Sequence, residues 1–221
     1  PEDPQAGFKA ARELHRDPQV AGIPVILLSA VNIKSNLAFG FSDADISDDF
    51  ILVNIAGFAA YVVRDGEVVW QTRVQVGKPF HKTPVFRDEM KYVVFNPTWT
   101  VPPTILEQDI LPEVRRNPGY LRDRSFRVLD ATGASLDPNL IDWSAVSARS
   151  FPYLLRQDPG PNNALGRIKF MFPNSHSVYL HDTPSKYLFD RADRTFSSGC
   201  IRVENPFELA EILLESDGWS Q

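Results

Sequence analysis

The spacing of apolar positions changes character along this chain, and each change predicts an element. In "GFKAARELHRD" Phe8, Ala11 and Leu14 recur at helical spacing, which predicts a helix with one apolar stripe. "IPVILLSA" (23–30) is a continuous apolar run of strand length, as expected of a strand covered on both faces in a parallel sheet. Helix followed by buried strand suggests a piece of an α/β unit. From Ile51 the pattern becomes β: "ILVNIAGFAAYVV" and "EVVWQTRVQVG" flank Arg64-Asp65-Gly66, a two-residue hairpin signal because glycine tolerates positive φ. "KYVVFNP" (91–97) predicts a further strand. In "HSVYLHD" (176–182) Val178 and Leu180 alternate with Ser177, Tyr179 and His181, so Tyr179 and His181 share a strand face. "ENPFELAEILLE" predicts a helix, with Asn205 as N-cap, Pro206 in its first turn and Glu208 completing a capping-box-like pattern. Its apolar face is Pro206, Leu209, Ala210, Leu213 and Leu214.

Between these strands, about 101–165, lies a stretch rich in Pro, Arg and Asp that leaves through a turn at Asp158–Asn163. So long a connection inside a compact domain suggests an inserted subdomain or a lid. The acidic "FSDADISDDF" reads as a linker. The expected organisation is an N-terminal appendage over 1–50 and a mainly β, mixed α+β domain over 51–221, with a partly helical insertion at about 101–165.

Composition narrows the function classes. A net charge of −5 with no long basic run argues against nucleic acid, and Arg115, Arg116, Arg122, Arg124 and Arg127 are interleaved with acids as a solvated face. The single cysteine can form no internal disulfide and no thiolate cluster, and no His/Cys pair has metal-ligand spacing, so neither a metal nor another cofactor is expected. No stretch is long and apolar enough to cross a membrane. "PEDPQAGFKA" is no signal peptide, so an exported protein would carry its targeting segment outside these residues.

The one cysteine stands in "SSGCIR". Gly199 permits a sharp turn and leaves the Gly199 and Cys200 amides to face a developing oxyanion. Two residues beyond Cys200, Arg202 points to the same side of an extended chain, where its fork could hold a carboxylate. His181 supplies an imidazole. Spacing alone leaves both readings open, a nucleophile with its base or an inert core thiol. His176 and His15 read as surface residues, and His81 as structural or cleft-lining. Trp99 reads as core or substrate contact, Tyr179 as cross-strand packing, and Ser197 and Ser198 as turn residues bonding backbone.

Residues 51–215 resemble the catalytic domain of YkuD-type L,D-transpeptidases, in particular the large periplasmic subgroup with a capping insertion. The family signature, a histidine followed after a gap by Ser/Thr-His-Gly-Cys, an apolar residue and Arg or Asn, is met by His181 and Ser197-Ser198-Gly199-Cys200-Ile201-Arg202, with Ser198 where the family's second histidine stands. Ser-Ser-Gly-Cys is typical of the capped subgroup, and "VGKPFHKTP", "NPTWTVPPTI", "QDPGPNNALGRIKFMFPN" and "VYLHDTPSKYLF" match it as well. The resemblance implies a thioester acyl transfer on peptidoglycan stem peptides in the periplasm, with Cys200 as nucleophile and His181 as base. Tyr179, Gly199 and Ser198 would stand at the acyl site, with Trp99 and Ser197 on the substrate and Arg202 fixing either the Cys200 turn or a substrate carboxylate. Carbapenems are the implied inhibitors and the chain is taken as a monomer. Hydrolysis in place of transfer, or a non-catalytic wall-binding module, are the alternative readings. Residues 1–50 resemble a fragment of a response-regulator receiver domain, with Ser29 at the switch position. Neither the phosphoacceptor aspartate nor the Lys-Pro of that family is present, so no phosphorelay role is expected.

Overall fold

The computed structural model describes residues 25–29, 50–65, 67–117, 119–147 and 149–215. The predicted N-terminal helix, the acidic linker up to Asp49, and Gly66 lie outside the described residues. The chain divides into two compact units, Pro1–Val93 with Phe170–Gln221, and Val94–Lys169.

The first unit is built on a sheet. Strand β1 (Val25–Ser29) pairs in parallel with β2 (Phe50–Asn54) and antiparallel with β5 (Arg87–Glu89), so the apolar run of the expected appendage is a strand of this sheet. Every residue of β2 is buried. The β-patterned run from Ile51 to Val63 forms two strands, β2 and β3 (Ala59–Arg64), because the Asn54 side chain accepts the Gly57 N–H (2.8 Å) and closes a turn between them. β3 then turns through Asp65, at φ 49°, into β4 (Glu67–Gly77). After β5 come β6 (Tyr92–Phe95), β11 (Ile168–Met171), β12 (Leu180–His181), β13 (Thr195–Ser197) and β14 (Ile201–Val203). Among the described residues the sheet runs β5-β1-β2-β3-β4-β14-β12-β11-β6, with β13 also paired to β4. The C-terminal helix α4 (Pro206–Glu215) begins where predicted: the Asn205 carbonyl accepts the Leu209 N–H, and Pro206, Leu209 and Ala210 are buried. The Glu208 carboxylate accepts the Trp70 indole N–H (2.9 Å).

The second unit has its own core of Val101, Leu106, Ile110, Leu111, Val114, Leu121, Phe126, Val128 and Leu155. Its helical half is α1 (Pro103–Ile105), a π-helical stretch over Leu106–Ile110, α2 (Leu111–Arg116) and α3 (Tyr120–Asp123). The other half, which the sequence pattern does not announce, is a four-stranded sheet in the order β7-β10-β8-β9, from Trp99–Thr100, Leu154–Gln157, Phe126–Leu129 and Ser135–Leu136. No helix among the described residues is long and apolar enough to cross a membrane.

Candidate active site

Strand register brings the chosen residues together within the first unit. β12 and β14 are parallel neighbours, with Leu180 opposite Ile201 and His181 opposite Arg202. The residues just before each strand, Tyr179 and Cys200, therefore meet at one end, and the Ile201 N–H donates to the Tyr179 carbonyl (3.1 Å). The Tyr179 hydroxyl hydrogen-bonds the Cys200 sulfur. The Cys200 thiol also lies 3.9 Å from the Ser177 carbonyl, the distance of a weak S–H donor contact. The loop carrying that carbonyl is tied by Asn174, whose amide nitrogen donates to the Phe172 and Val178 carbonyls and whose oxygen accepts the His176 and Val178 N–H groups. By taking both backbone groups of Val178, Asn174 shortens the strand predicted over 176–182 to Leu180–His181.

His181 is buried, and its ring centroid is 5.6 Å from that of Tyr179, as the shared strand face requires. Its Nδ1 contacts the Asp182 carbonyl oxygen. A carbonyl only accepts, so Nδ1 carries the hydrogen and Nε2 holds the basic lone pair. Asp182 is buried and pairs with Lys186 at 2.6 Å, which steadies the segment after His181.

Two hydroxyls hold the cysteine turn. Gly199 sits at φ 112°, where a side chain would be strained. The buried Ser197 hydroxyl accepts the Gly199 N–H (3.1 Å) and donates to the Cys200 carbonyl (2.5 Å). This corrects one expectation: the Gly199 amide is committed inside the turn and does not face an oxyanion. The Ser197 hydroxyl is spent on backbone, as expected of a turn residue. Thr83, also buried, accepts the Gly77 N–H (2.9 Å) and donates to the Gly199 carbonyl (2.8 Å). Gly77 is required by close approach, since a Cβ there would lie 2.1 Å from the His81 carbonyl oxygen and 2.6 Å from the Thr83 nitrogen.

The Arg202 fork is turned to an internal partner. Its Nη1 donates to Oε1 of the fully buried Gln75 (3.2 Å), and its Nε is buried without a hydrogen-bond partner. Burial draws the guanidinium below its ordinary value, and the charge of Cys200 opposes that shift. An arginine remains charged in a protein, so Arg202 is a fixed positive charge acting on the sulfur. Burial, then the charge of Cys200 and its hydrogen bond, push the Tyr179 hydroxyl well above the ordinary tyrosine value, so Tyr179 is a neutral donor at any physiological pH.

Ser198 is exposed between the buried Ser197 and Gly199. Trp99 belongs to the second unit, where its ring packs 6.0 Å from that of Phe126. His176 is exposed, with its ring tilted against that of Phe86 (centroids 4.9 Å apart), while the His81 N–H closes a turn on the Lys78 carbonyl. His15 lies outside the described residues. Thr83, Gln75 and Asn174 were not singled out from sequence. A glutamine inside the apolar end of β4 was the available signal for Gln75, because a buried amide must find partners.

A Cys, His and Tyr are thus gathered at one sheet end, an arrangement whose residue types can support nucleophilic chemistry at a sulfur. The L,D-transpeptidase catalytic domain family, YkuD, matches residues 48–217. A Haemophilus influenzae protein named "Putative L,D-transpeptidase" is 39% identical over 193 residues, covering 86% of this chain and 39% of its own length. The chain thus spans about two fifths of that relative's length. The chain belongs to the YkuD L,D-transpeptidase catalytic-domain family.

Proposed function

We propose that this chain is a peptidoglycan L,D-transpeptidase that works through a thioester on Cys200. The observation that carries the reading is the Tyr179 hydroxyl on the Cys200 sulfur, with the His181 ring against Tyr179, in a chain of this family. The donor is a tetrapeptide stem. Cys200 attacks the carbonyl carbon of the bond joining the D-centre of diaminopimelate to the terminal D-alanine. His181 Nε2 takes the thiol proton and delivers it to the D-alanine nitrogen as the C–N bond breaks. The Cys200 amide and the Tyr179 hydroxyl receive the oxyanion. The side-chain amine of diaminopimelate on a second stem then attacks the thioester. Its proton passes through His181 to the departing sulfur, which restores the thiol and leaves a cross-link. In this reading the reaction takes place in the periplasm, and carbapenems acylate the same sulfur.

Intact-protein mass spectrometry after incubation with a carbapenem tests it. The folded wild type gains one carbapenem mass and Cys200→Ala gains none. His181→Ala is acylated about a hundredfold more slowly or worse. A folded wild type that stays unlabelled overturns the reading, and a His181→Ala rate equal to wild type removes the base assignment. Stem tetrapeptides supplied with and without an acceptor amine separate cross-linking from hydrolysis.

A further inference from the structure

We propose that Thr83 is a positioning residue of the acyl-transfer site: its hydroxyl fixes the plane of the Gly199–Cys200 peptide and so aims the Cys200 N–H at the developing oxyanion. The inference rests on the reading of Cys200 as the nucleophile.

Three consecutive peptide planes make up the turn, and each hydroxyl has a separate duty. Ser197 Oγ holds the plane before Gly199, through the Gly199 N–H, and the plane after Cys200, through the Cys200 carbonyl. It does not touch the plane between them. That plane contains the Gly199 carbonyl and the Cys200 N–H, and the Gly199 carbonyl is held by Thr83 at 2.8 Å. A peptide group is rigid and trans, so its C=O and N–H point in opposite directions. Anchoring the carbonyl on Thr83 therefore directs the Cys200 N–H to the far side of the turn. The anchor matters here because Gly199, at φ 112°, is the residue about which the plane can most easily rock.

The direction of each hydrogen bond is determined. The Gly77 N–H can only donate, so Thr83 Oγ1 accepts from it and spends its one hydrogen on the Gly199 carbonyl. The chain Gly77 N–H to hydroxyl to Gly199 C=O polarises the amide that ends in the Cys200 N–H, which strengthens that N–H as a donor. Thr83 is buried, and the His81 carbonyl oxygen and Thr83 nitrogen occupy the space a Cβ on Gly77 would need, so the loop packs directly on the end of β4.

The test compares two reactions of the same sulfur. Carbapenem acylation passes through an oxyanion, whereas alkylation by iodoacetamide displaces iodide at a saturated carbon and forms none. Thr83→Val keeps the side-chain shape and removes the hydroxyl; its carbapenem acylation should slow at least about tenfold. Its iodoacetamide rate should stay within about twofold of wild type, because that rate reports the sulfur and its accessibility alone. Thr83→Ser, which keeps the hydroxyl, should restore acylation. Unchanged acylation in Thr83→Val, or an equal fall in both reactions, overturns the inference. If Thr83→Val does not fold, Thr83→Ser decides: acylation near the wild-type rate supports the hydroxyl, and a slowed acylation with normal alkylation overturns it. A wild type that carbapenem leaves unlabelled removes the underlying reading, while a labelled wild type matched by Thr83→Val removes this inference alone.

Discussion

Two of the turns that place a glycine at positive φ, those around Gly133 at 86° and Gly199 at 112°, are held in different ways. The Gly133 turn joins β8 to β9 in the second unit and is tied from within. Asp130 Oδ1 accepts the N–H groups of Thr132 and Ala134 and the Thr132 hydroxyl, and the Asp130 carbonyl accepts the Gly133 N–H. The Gly199 turn is tied from within by Ser197, but also by Thr83, which is 116 positions away in the chain. Arg202, just beyond it, is met by Gln75 across 127 positions. A turn tied locally forms wherever its few residues are present. A turn tied across the sheet has its final geometry only after β4, β12 and β14 are assembled. The geometry of the Cys200 turn is thus a property of the assembled sheet, and damage to β4 should reach Cys200 without touching it.

Gly77→Ala against Gly133→Ala is the strongest way to break this contrast. The new Cβ at 77 would overlap backbone atoms of His81 and Thr83, so the loop bearing Thr83 must move. We expect a loss of about 2–4 kcal/mol of stability in urea unfolding. Carbapenem acylation should fall by at least about tenfold as the Gly199 carbonyl loses its anchor. At Gly133 a Cβ meets nothing within 4 Å, and the cost is the left-handed backbone alone, about 1–2 kcal/mol. Acylation should be unchanged there. Equal effects on acylation from the two substitutions would remove the distinction between the turns.

The same contrast explains what could be read from the sequence. Asn205 and Pro206 announce the last helix because capping chemistry is local, and Tyr179 and His181 share a face because strand alternation is local. Cys200 and His181 were singled out by the family resemblance, since their spacing alone left both readings open. Thr83 and Gln75 were not, since nothing within several residues of either shows that its partner lies in a turn more than a hundred positions away. Two side-chain amides also decide where strands begin and end. Asn54 broke the run from Ile51 to Val63, and Asn174 consumed the start of the strand leading to His181. The small sheet of the second unit escaped notice because β7 and β9 are two residues each, too short for alternation to register.

A second test turns on tyrosine ionisation in the two units. Burial, the charge of Cys200 and its hydrogen bond raise Tyr179 well above the ordinary value of 10.0, whereas Tyr120 in the second unit is raised chiefly by burial and opposed by Arg124. Above about pH 10 an unfolded chain has lost the tyrosine proton that folded Tyr179 keeps. The native state then binds more protons than the unfolded state, and stability falls as pH rises, by up to about 1.4 kcal/mol per pH unit. Tyr179→Phe should flatten that fall in urea titrations at about pH 9, 10 and 11. Tyr120→Phe should flatten it less, and Cys200→Ala should recover part of the Tyr179→Phe effect. Equal slopes in Tyr179→Phe and wild type would mean that the hydroxyl is not confined against the sulfur.

The smallest effect is expected at Asp130, and it bears on the locally tied turn. The Thr132 hydroxyl first, then backbone N–H groups, hold this carboxylate below its ordinary value of 3.8. A depressed carboxylate contributes stability that is present above its unfolded pKa and lost as pH falls through the folded one. Asp130→Asn keeps an acceptor oxygen but loses the charge, and water can take over the N–H groups it releases because the turn is exposed. Its melting temperature should therefore sit slightly below wild type at neutral pH, and the gap should close on acidification below the ordinary carboxylate range. Carbapenem acylation should match wild type throughout the neutral range. A slowed acylation in Asp130→Asn would show that this turn, too, is coupled to the sheet bearing Cys200, and that its ties are local in sequence only.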